Sequence, residues 1–401
     1  MLNKEKQTPK IRFDKFNLDW ERVKLGDGTS RIGDGLHGTP QYSEKGNIAF
    51  INGNNLVNGK IVITKKTKFV QEEQQSKKDK LLNSNTILMS INGTIGNLAY
   101  YAGEKIMLGK STSFLEVTRF NKNFMYQLLQ TNKIKSHFLN NLTGSTIKNL
   151  GLKTIRETPC SVPTLEEQIK IGYLFKQLDD IVTLQQQLLN DHKQLKKAML
   201  QKMFPQKGES VPRVRFAGFV SKWNEDKIEN LLIERNERSG EGELISVTTN
   251  FGVVKAADLK RTDNSSKDKS NYKKVEKGDI AYNSMRMWQG ASGLSKYTGI
   301  VSPAYTIIIP KENVSPLFIS YLFKLPSIIQ TFQANSQGLT SDTWNLKYPM
   351  LKKIKIKVPE LKEQQKISIF FKQLDKTIDF HEKKLETYRE LKKAMLQKMF
   401  V

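Results

Sequence analysis

The decapeptide LKKAMLQKMF at residues 195–204 occurs again, unchanged, at residues 391–400. The match continues upstream with the same offset of 196 residues (391 − 195 = 196), because FKQLD at residues 175–179 recurs at 371–375. A period of this length is far too long for a solenoid of short repeats. The chain therefore contains two copies of one unit, and each copy ends in the same sequence.

The beginnings of the two copies also match. The segment PKIRF at residues 9–13, followed by Trp20, corresponds to PRVRF at residues 212–216, followed by Trp223, with an offset of 203 (212 − 9 = 203). The stretches between these matched ends, which we call the bodies, barely match. This pattern is expected if the bodies recognise different targets while the ends hold them in a common frame.

The composition predicts a soluble, cytoplasmic protein of two or three domains. The chain has 401 residues and a mean hydropathy of −0.51. No apolar run approaches the roughly 18 residues that a membrane span needs, and the N-terminal residues lack the apolar core of a signal peptide. The single cysteine, Cys160, excludes an internal disulfide framework and a zinc site with several thiolates.

The charge of the chain is strongly positive. Lysine and arginine number 65 against 40 acidic residues, a formal net charge of +25. One interpretation is a lysine-rich surface that only keeps the protein soluble. The other is a polyanionic partner, for which nucleic acid is the default in a cytoplasmic chain. Charge alone does not distinguish DNA, RNA and the ribosome.

Each copy ends in a predicted long helix. Thr164 and Glu167 have the spacing of a capping box directly after Pro163. Apolar residues then recur at alternating steps of four and three, which is the pattern of a coiled-coil seam. The seam residues are Ile171, Phe175, Leu178, Val182, Leu189 and Met199 in the first copy and Ile367, Phe371, Leu374, Ile378, Leu385 and Met395 in the second.

Two matched seams in one chain predict an antiparallel helix pair, each helix about 60 Å long at ~1.5 Å per residue. Polar seam positions (Gln185 with His381, and Lys196 with Lys392) would set the register. The alternative is that the helices only join two domains. Because packing tolerates conservative substitutions, the identity of the two tails suggests instead that both present the same surface to a partner that is present twice.

The bodies are predicted to be mixed α/β domains. Strands are expected at residues 48–51, 61–63, 86–90, 114–117, 244–247, 279–283 and 305–309, and helices at 124–132 and 316–324. The predicted domains are residues 1–158, a central helical region at 159–204, residues 205–357 with a linker at 205–215, and a C-terminal helical region at 358–401.

The loops of both bodies are rich in residues that can contact DNA. Asn and Gln suit adenine edges, Arg suits guanine edges, and glycine lets a backbone approach phosphate. The alternative is that loops commonly contain such residues. The candidates are Asn52, Asn54, Asn55, Asn92, Thr94, Asn97, Lys110, Ser111, Ser145 and Lys148 in the first body and Thr249, Asn250, Asn283, Arg286, Trp288, Gln289, Gln337 and Ser341 in the second.

Arg286 is the best single candidate for a base contact. It follows a predicted strand and shares its loop with Trp288 and Gln289. By position this loop corresponds to residues 90–97 of the first body. The alternative role for Arg286 is a surface or intradomain salt bridge.

No catalytic or metal-binding motif is recognisable. The chain lacks a Gly-x-x-x-x-Gly-Lys-Ser/Thr phosphate loop, a dinucleotide-binding turn, the Asn-Pro-Pro-aromatic motif of amino-methyltransferases and the Pro-Asp pair of a common nuclease motif. The four histidines have no metal-ligand spacing, and Cys160 is interpreted as structural. We therefore predict no catalytic residue, no metal site and no cofactor bound by this chain.

The chain resembles the specificity (S) subunit of type I restriction–modification enzymes over its whole length. The resemblance lies in the openings PTLEEQ at residues 163–168 and PELKEQ at 359–364, in the tails at 196–204 and 392–400, and in the Pro-x-x-Arg-Phe segments followed by tryptophan. It implies an α+β fold with a pseudo-twofold internal repeat, in which two target recognition domains are held apart by two long helices forming an antiparallel coiled coil.

The resemblance also implies the function. Each body reads one half of a split sequence in double-stranded DNA, the first body the 5′ half and the second the 3′ half, and the helices fix the gap. Two modification (methyltransferase) subunits with S-adenosylmethionine dock on the chain, and two restriction subunits that use ATP and Mg²⁺ can join. The alternatives are a stand-alone nuclease with an unrecognised site and an adaptor that binds nucleic acid without reading its sequence.

Overall fold

The computed structural model describes residues 8–75, 77–259 and 265–401, which fold into two compact units. Unit 1 contains the residues up to Gln186 together with residues 383–401, and unit 2 contains residues 187–382. Each unit thus consists of one body, the first half of one long helix and the end of the other. The predicted domains are consecutive segments of the chain, whereas each compact unit combines two separate segments. The predicted boundaries therefore stay predictions.

The body of unit 1 is a mixed α/β structure. The strands are β1 (Glu21–Lys24), β2 (Thr29–Asp34), β3 (Ile48–Ile51), β4 (Leu56–Val57), β5 (Lys60–Ile61), β6 (Lys68–Val70), β7 (Thr86–Ser90), β8 (Leu98–Tyr100), β9 (Ile106–Leu108), β10 (Thr112–Val117) and β11 (Pro159–Val162). The main sheet has the strand order β2-β10-β7-β8, all antiparallel, and a second sheet has the order β6-β3-β9 with β3 parallel to β9. The antiparallel pairs β1-β11 and β4-β5 complete the body. The helices are α1 (Lys77–Lys80), α2 (Lys122–Leu128), α3 (Asn132–Asn140), α4 (Leu152–Glu157) and the long α5 (Leu165–Lys202).

The body of unit 2 repeats this plan. The strands are β12 (Asn224–Lys227), β13 (Leu232–Glu234), β14 (Leu244–Thr248), β15 (Gly252–Lys255), β16 (Lys273–Val275), β17 (Ile280–Asn283), β18 (Ser292–Leu294), β19 (Gly299–Val301), β20 (Tyr305–Pro310) and β21 (Lys355–Val358). The main sheet, β13-β20-β17-β18, is again antiparallel, and β12 pairs with β21. The second sheet has the order β15-β14-β19-β16, with β14 parallel to β19. The helices are α6 (Ile228–Leu231), α7 (Pro316–Leu322), α8 (Pro326–Ala334), α9 (Tyr348–Leu351) and the long α10 (Leu361–Met399). The α+β fold with an internal repeat is thereby confirmed.

The start of each long helix is held by the same buried ion pair. Arg12 makes two hydrogen bonds, of 2.8 and 2.7 Å, to the carboxylate of Glu167, and Arg215 makes two of 2.7 Å to Glu363. Both carboxylate side chains are almost fully buried. Glu167 was expected in a capping box with Thr164, but its two oxygens accept from Arg12. The matched Arg-Phe segments therefore correspond to a matched anchor.

The glutamine that follows each of these carboxylates joins the helix to its body. The amide oxygen of Gln168 accepts the Asn121 N–H at 2.9 Å, next to α2, and its amide nitrogen donates to the Pro163 carbonyl at 2.9 Å. Gln364 makes the same two bonds, from the Ser315 N–H and to the Pro359 carbonyl, at 2.9 and 2.8 Å. These contacts account for the shared Glu-Gln pair of the two helix openings.

Within each unit, the two long helices pack antiparallel. In unit 1, Asp179 of α5 pairs with Lys392 of α10 at 2.5 Å, and Phe175 packs on Phe400 at a centroid distance of 5.8 Å. In unit 2, Asp375 of α10 pairs with Lys196 of α5, and Lys193 pairs with Glu382 at 2.6 Å. Lys196 and Lys392, two of the predicted polar seam positions, thus form ion pairs between the helices.

The predicted seam residues lie mostly in the interior. Those less than 10% exposed are Ile171, Phe175, Leu178, Leu189, Ile367, Phe371, Leu374, Ile378 and Leu385, whereas Val182, Met199 and Met395 are half-buried. Gln185 is buried, and His381 stacks on His192 at 5.1 Å between centroids in unit 2. The antiparallel coiled-coil packing of the fold class is confirmed within each unit.

Two predicted elements were wrong in extent. The helix predicted at residues 124–132 is two helices, because α2 ends at Leu128 and the Thr131 hydroxyl caps α3 by accepting the Ile134 N–H at 3.5 Å. The strand predicted at residues 61–63 is limited to Ile61, because β4 and β5 form a two-residue hairpin. Its turn residues, Asn58 and Gly59, both have positive φ angles, of 50° and 81°.

Candidate nucleic-acid interface

The loops predicted to contact DNA in unit 1 are joined to one another. The Ser111 hydroxyl donates to the Asn52 side chain at 3.0 Å and accepts the Gly53 N–H at 3.0 Å. The Asn97 amide donates to the Gly53 carbonyl at 3.4 Å, and Asn92 forms a β-bridge with Asn149. Residues 52–55, 91–97, 110–111 and 143–149 therefore form one continuous set of loops around the ends of β3, β7 and β9.

The candidate side chains of these loops divide into two groups. Asn55 has a structural role, since its amide nitrogen donates to the Val62 carbonyl at 2.9 Å and to the Thr67 hydroxyl at 3.2 Å. The side chains of Asn52 and Asn97 also form hydrogen bonds within the body, and Asn92 and Ser111 are half-buried. The side chains that are exposed and without a hydrogen-bond or ion-pair partner among the described residues are Asn54, Thr94, Lys110, Ser145 and Lys148.

A cavity of about 100 Å³ opens beside this set of loops. It is lined by Asn52, Asn54 and Asn55 together with two aromatic residues, Tyr42 and Phe50. The Tyr42 ring meets Phe50 edge-on at 5.9 Å and is 48% exposed. Tyr42 was not predicted, because it lies in an irregular segment before β3, outside the Asn- and Gly-rich loops that the sequence singled out.

In unit 2 the corresponding loops are joined by Lys324. Its ammonium donates to the carbonyl oxygens of Gly290, at 2.5 Å, and Thr249, at 3.5 Å. Burial of the side chain lowers the pKa of Lys324 to about 8, and the charge of Lys196 contributes to the same shift. Lys324 was not predicted, because a lysine after a short helix carries no distinctive sequence signal.

A pair of tryptophans joins the Arg286 loop to the hairpin at residues 337–345. The rings of Trp288 and Trp344 pack edge-on at a centroid distance of 5.3 Å, and the Leu346 N–H donates to the Ser284 carbonyl at 2.8 Å. The hairpin is closed by Gln337 and Asn345, whose backbones exchange two hydrogen bonds of 2.8 Å. The structure thus brings the three polar loops of unit 2 together.

Arg286 is exposed, and its guanidinium has no hydrogen-bond or ion-pair partner within the described part of the chain. Its backbone begins a 3₁₀ turn over Met287–Gln289, in which the Arg286 carbonyl accepts the Gln289 N–H at 3.0 Å. The indole N–H of Trp288 donates to the Met285 carbonyl at 3.0 Å. A free donor fork on an ordered turn is suited to bind a base edge or a phosphate.

The remaining candidates of unit 2 lie at the same loops. Thr249, Asn250, Gln337 and Ser341 are exposed, and Asn283 is half-buried with its side-chain oxygen accepting the Met285 N–H at 3.0 Å. Three exposed apolar side chains that were not among the predicted candidates lie at the same loops. These are Phe251, Met285 and Leu339, which are 72%, 45% and 101% exposed.

The long helices carry a second repeated surface. In unit 1, Tyr173 and Leu184 of α5 and Leu391 of α10 are exposed; in unit 2, Ile369 and Phe380 of α10 and Leu195 of α5 are exposed at the positions related by the offset of 196. Each set lies outside the buried seam. We call each set of three a helix-face trio.

The described residues contain neither a candidate metal site nor a candidate membrane span. Within residues 8–75, 77–259 and 265–401, no group of three or more His, Cys, Asp or Glu side chains could hold a metal ion. In the same described residues, no helix combines the length and apolar character needed to cross a membrane.

Two solved structures share this fold, and a third aligns over most of the chain. The type I restriction–modification S subunit from M. genitalium matches with a TM-score of 0.64 at 16% identity, over 98% of this chain and 99% of that one. A structure from work on complex assembly and conformational transition of the type I R-M system matches with a TM-score of 0.50 at 14% identity, over 95% and 97% of the two chains. The HsdS subunit from Thermoanaerobacter tengcongensis aligns over 95% of this chain at 14% identity, with a TM-score of 0.43.

The family comparison covers both copies of the repeat. The model of the type I restriction modification DNA specificity domain matches residues 17–193 and again residues 221–388. Each match begins near the tryptophan that opens a body and continues far into the long helix that follows it. The chain therefore belongs to the DNA specificity (S) subunit family of type I restriction–modification systems.

Proposed function

We propose that this chain reads a bipartite sequence in double-stranded DNA, with unit 1 contacting the 5′ half-site and unit 2 the 3′ half-site. One observation carries the proposal. The two units share the buried Arg–Glu pair at the start of the long helix and the strand order of the main sheet, but their loops differ in sequence. Two domains with the same interior but different loops are suited to recognise two different half-sites of one DNA sequence. Side chains such as Asn54, Thr94 and Arg286 are exposed and unpaired at these loops, as direct base contacts require.

We further propose that two modification subunits dock on the chain, and that S-adenosylmethionine, ATP and Mg²⁺ bind to partner subunits. The two helix-face trios support a partner that is present twice, because each unit exposes apolar side chains at the same three positions of the repeat. The chain itself performs no catalytic step in this proposal. It scaffolds the methyltransferase subunits and, in the restriction complex, the restriction subunits.

The experiment that tests the reading function is an exchange of bodies. Residues 1–158 are replaced by the matching body of another S subunit, and the methylated sites in cells carrying the chimera are sequenced. We expect one half of the target to change and the other half to remain. Alteration of both halves would contradict the assignment of one half-site to each body.

The docking proposal has its own test. Serine replaces Tyr173, Leu184 and Leu391 in one variant and Ile369, Phe380 and Leu195 in a second. Native mass spectrometry of each complex should show one modification subunit where the unaltered chain binds two.

Purified chain incubated with DNA, Mg²⁺ and ATP should leave the DNA uncut. Cleavage that a point mutation in this chain abolishes would favour a stand-alone nuclease instead.

A further inference from the structure

A cavity of about 510 Å³ lies in unit 1, between the start of α3 and the last turns of α10. Five cationic side chains line it: Lys133 and Lys135 from α3, and Arg389, Lys392 and Lys393 from α10. We call this cavity the basic pocket. None of its residues belongs to the loops that carry the candidate base contacts.

The positive charge of the basic pocket is poorly compensated. Asp179 is the one carboxylate that pairs with these five cations among the described residues, and it pairs with Lys392. Arg389 donates to the neutral amide oxygen of Gln186 at 2.9 Å. Burial and the charge of Lys392 both lower the pKa of Lys135. Lysines crowded in this way are stabilised by a bound anion, which reduces their mutual repulsion.

Unit 2 provides an internal comparison, because the repeat places different residues at the same positions. Arg389 corresponds to Lys193, and Gln186 corresponds to Glu382, so a neutral contact in unit 1 is an ion pair of 2.6 Å in unit 2. The pair of Lys196 with Asp375 is equivalent to that of Lys392 with Asp179, so this contact is common to both units.

The short helix differs as well. Helices α3 and α8 begin 194 residues apart (326 − 132 = 194), which places Ser327 and Ile329 at the positions of Lys133 and Lys135. The ammonium of Lys324, the additional cation of unit 2, is directed to two loop carbonyls. The excess of unpaired cations is therefore specific to unit 1.

From this difference we infer that the basic pocket binds phosphates of the DNA backbone outside the half-site read by unit 1. This inference rests on the proposed DNA-reading function. An arginine fork and four lysines suit phosphate oxygens. The nine residues of α3 lead from the pocket toward the hairpin at residues 143–149 and rise about 13 Å. At ~3.4 Å per base pair, the contacted phosphates lie about four base pairs from the contacts made by that hairpin.

The test compares two double variants of the full chain in complex with its modification subunits. Lys133→Gln with Lys135→Gln removes two cations of the basic pocket. Lys193→Gln with Lys197→Gln, at the positions that correspond to Arg389 and Lys393, removes the same charge from unit 2 and is the control. Affinity for the specific duplex is measured over a range of salt concentrations. Loss of two phosphate contacts should make the slope of log K against log salt about 1.8 shallower, while the ranking of duplex sequences is unchanged.

A phosphate scan then locates the contact. Single phosphates of the duplex are replaced by neutral methylphosphonates. The unaltered complex should lose affinity at one or two positions outside the half-site, about four base pairs from the contacts of the hairpin at residues 143–149. The pocket variant should be insensitive at those positions. The control variant should keep the sensitivity of the unaltered complex.

Each other outcome contradicts the inference. An unchanged slope in the pocket variant excludes a DNA phosphate contact. If the slope is unchanged and inorganic tripolyphosphate binds the unaltered complex but not the variant, the pocket takes a free polyphosphate. If the variant loses its modification subunits, the pocket binds an acidic protein segment. Failure of the unaltered complex to rank duplex sequences would instead overturn the proposed function itself.

Discussion

Phe400 at the end of α10 packs edge-on against Trp20 at a centroid distance of 6.0 Å, so the last residues of the second copy complete the core of the first. Phe204, two residues after the end of α5, makes the same contact with Trp223 of unit 2, at 5.9 Å. The ten residues of each identical tail have the same pattern of exposure, position by position. A buried anchor is therefore one reason why the tails match, in addition to any shared surface.

Removal of this anchor should destabilise one unit at a time. Phe400→Ala leaves a cavity against Trp20, Phe124 and Phe175, and the expected cost is about 3–5 kcal/mol of unfolding free energy. Hydrogen exchange should show the loss in unit 1, and Phe204→Ala should show it in unit 2. Leu391→Ala is the control, since this leucine is 44% exposed and its loss should cost under about 0.5 kcal/mol. If Leu391→Ala and Phe400→Ala lowered the unfolding free energy equally, the buried contacts of Phe400 would not be what stabilises unit 1.

Removing one member of the buried pair of Arg12 and Glu167 should lower the free energy of unfolding more than replacing both members by apolar residues. Their side chains are 13% and 0% exposed, so Arg12→Met leaves an unpaired buried carboxylate and should cost about 3–5 kcal/mol in chemical denaturation. The double variant Arg12→Met with Glu167→Leu should recover most of that loss. Arg213, whose partner Glu209 lies on the surface, serves as the control, and Arg213→Met should cost about 0–1 kcal/mol. A double variant less stable than Arg12→Met would be inconsistent with this reasoning.

Lys324 should make unit 2 more stable as the pH rises from about 8 to about 10.4. The folded state releases this proton near pH 8, whereas an unfolded lysine keeps it up to about pH 10.4. The unfolded chain then binds more protons, so the free energy of unfolding increases with pH in this window. Below pH 8 the ammonium is charged in both states, and the cost of its burial is present in full.

The comparison for Lys324 is Lys324→Gln, which places the residue of unit 1, Gln130, at the same position. The unfolding free energy of the unaltered protein should rise relative to this variant by on the order of 1–3 kcal/mol across the window. Parallel curves for the two proteins would mean that Lys324 titrates alike in the folded and unfolded chains.

Arg286→Ala should relax one position of the 3′ half-site and spare the 5′ half-site. A guanidinium that binds a guanine edge contributes about 1–3 kcal/mol of discrimination. Binding titrations against duplexes with single base changes measure this effect. Arg238→Ala is the control in the same unit, because Arg238 is exposed but already bonded to Asn271 at 2.8 Å. A uniform loss for all sequences, with a salt slope reduced by about one, would make Arg286 a phosphate contact.

The repeat, the two long helices and the α+β character follow from local sequence, because each depends on residues close together along the chain. The seam periodicity from Ile171 onward is a property of one helix. Strands such as β3 and β7 are short apolar runs that any fold would bury. The resemblance to S subunits likewise rests on motifs of a few residues, such as the Glu-Gln pairs at 167–168 and 363–364.

The tertiary structure decided the contacts between distant residues. No local pattern pairs Arg12 with Glu167, places Phe400 in the core of the first copy, or directs Lys324 to the loops at Thr249 and Gly290. The basic pocket also joins residues about 260 positions apart, from α3 and α10. Such contacts depend on where the folded backbone brings side chains together, and the divergent loops carry no shared signal from which that placement could be read.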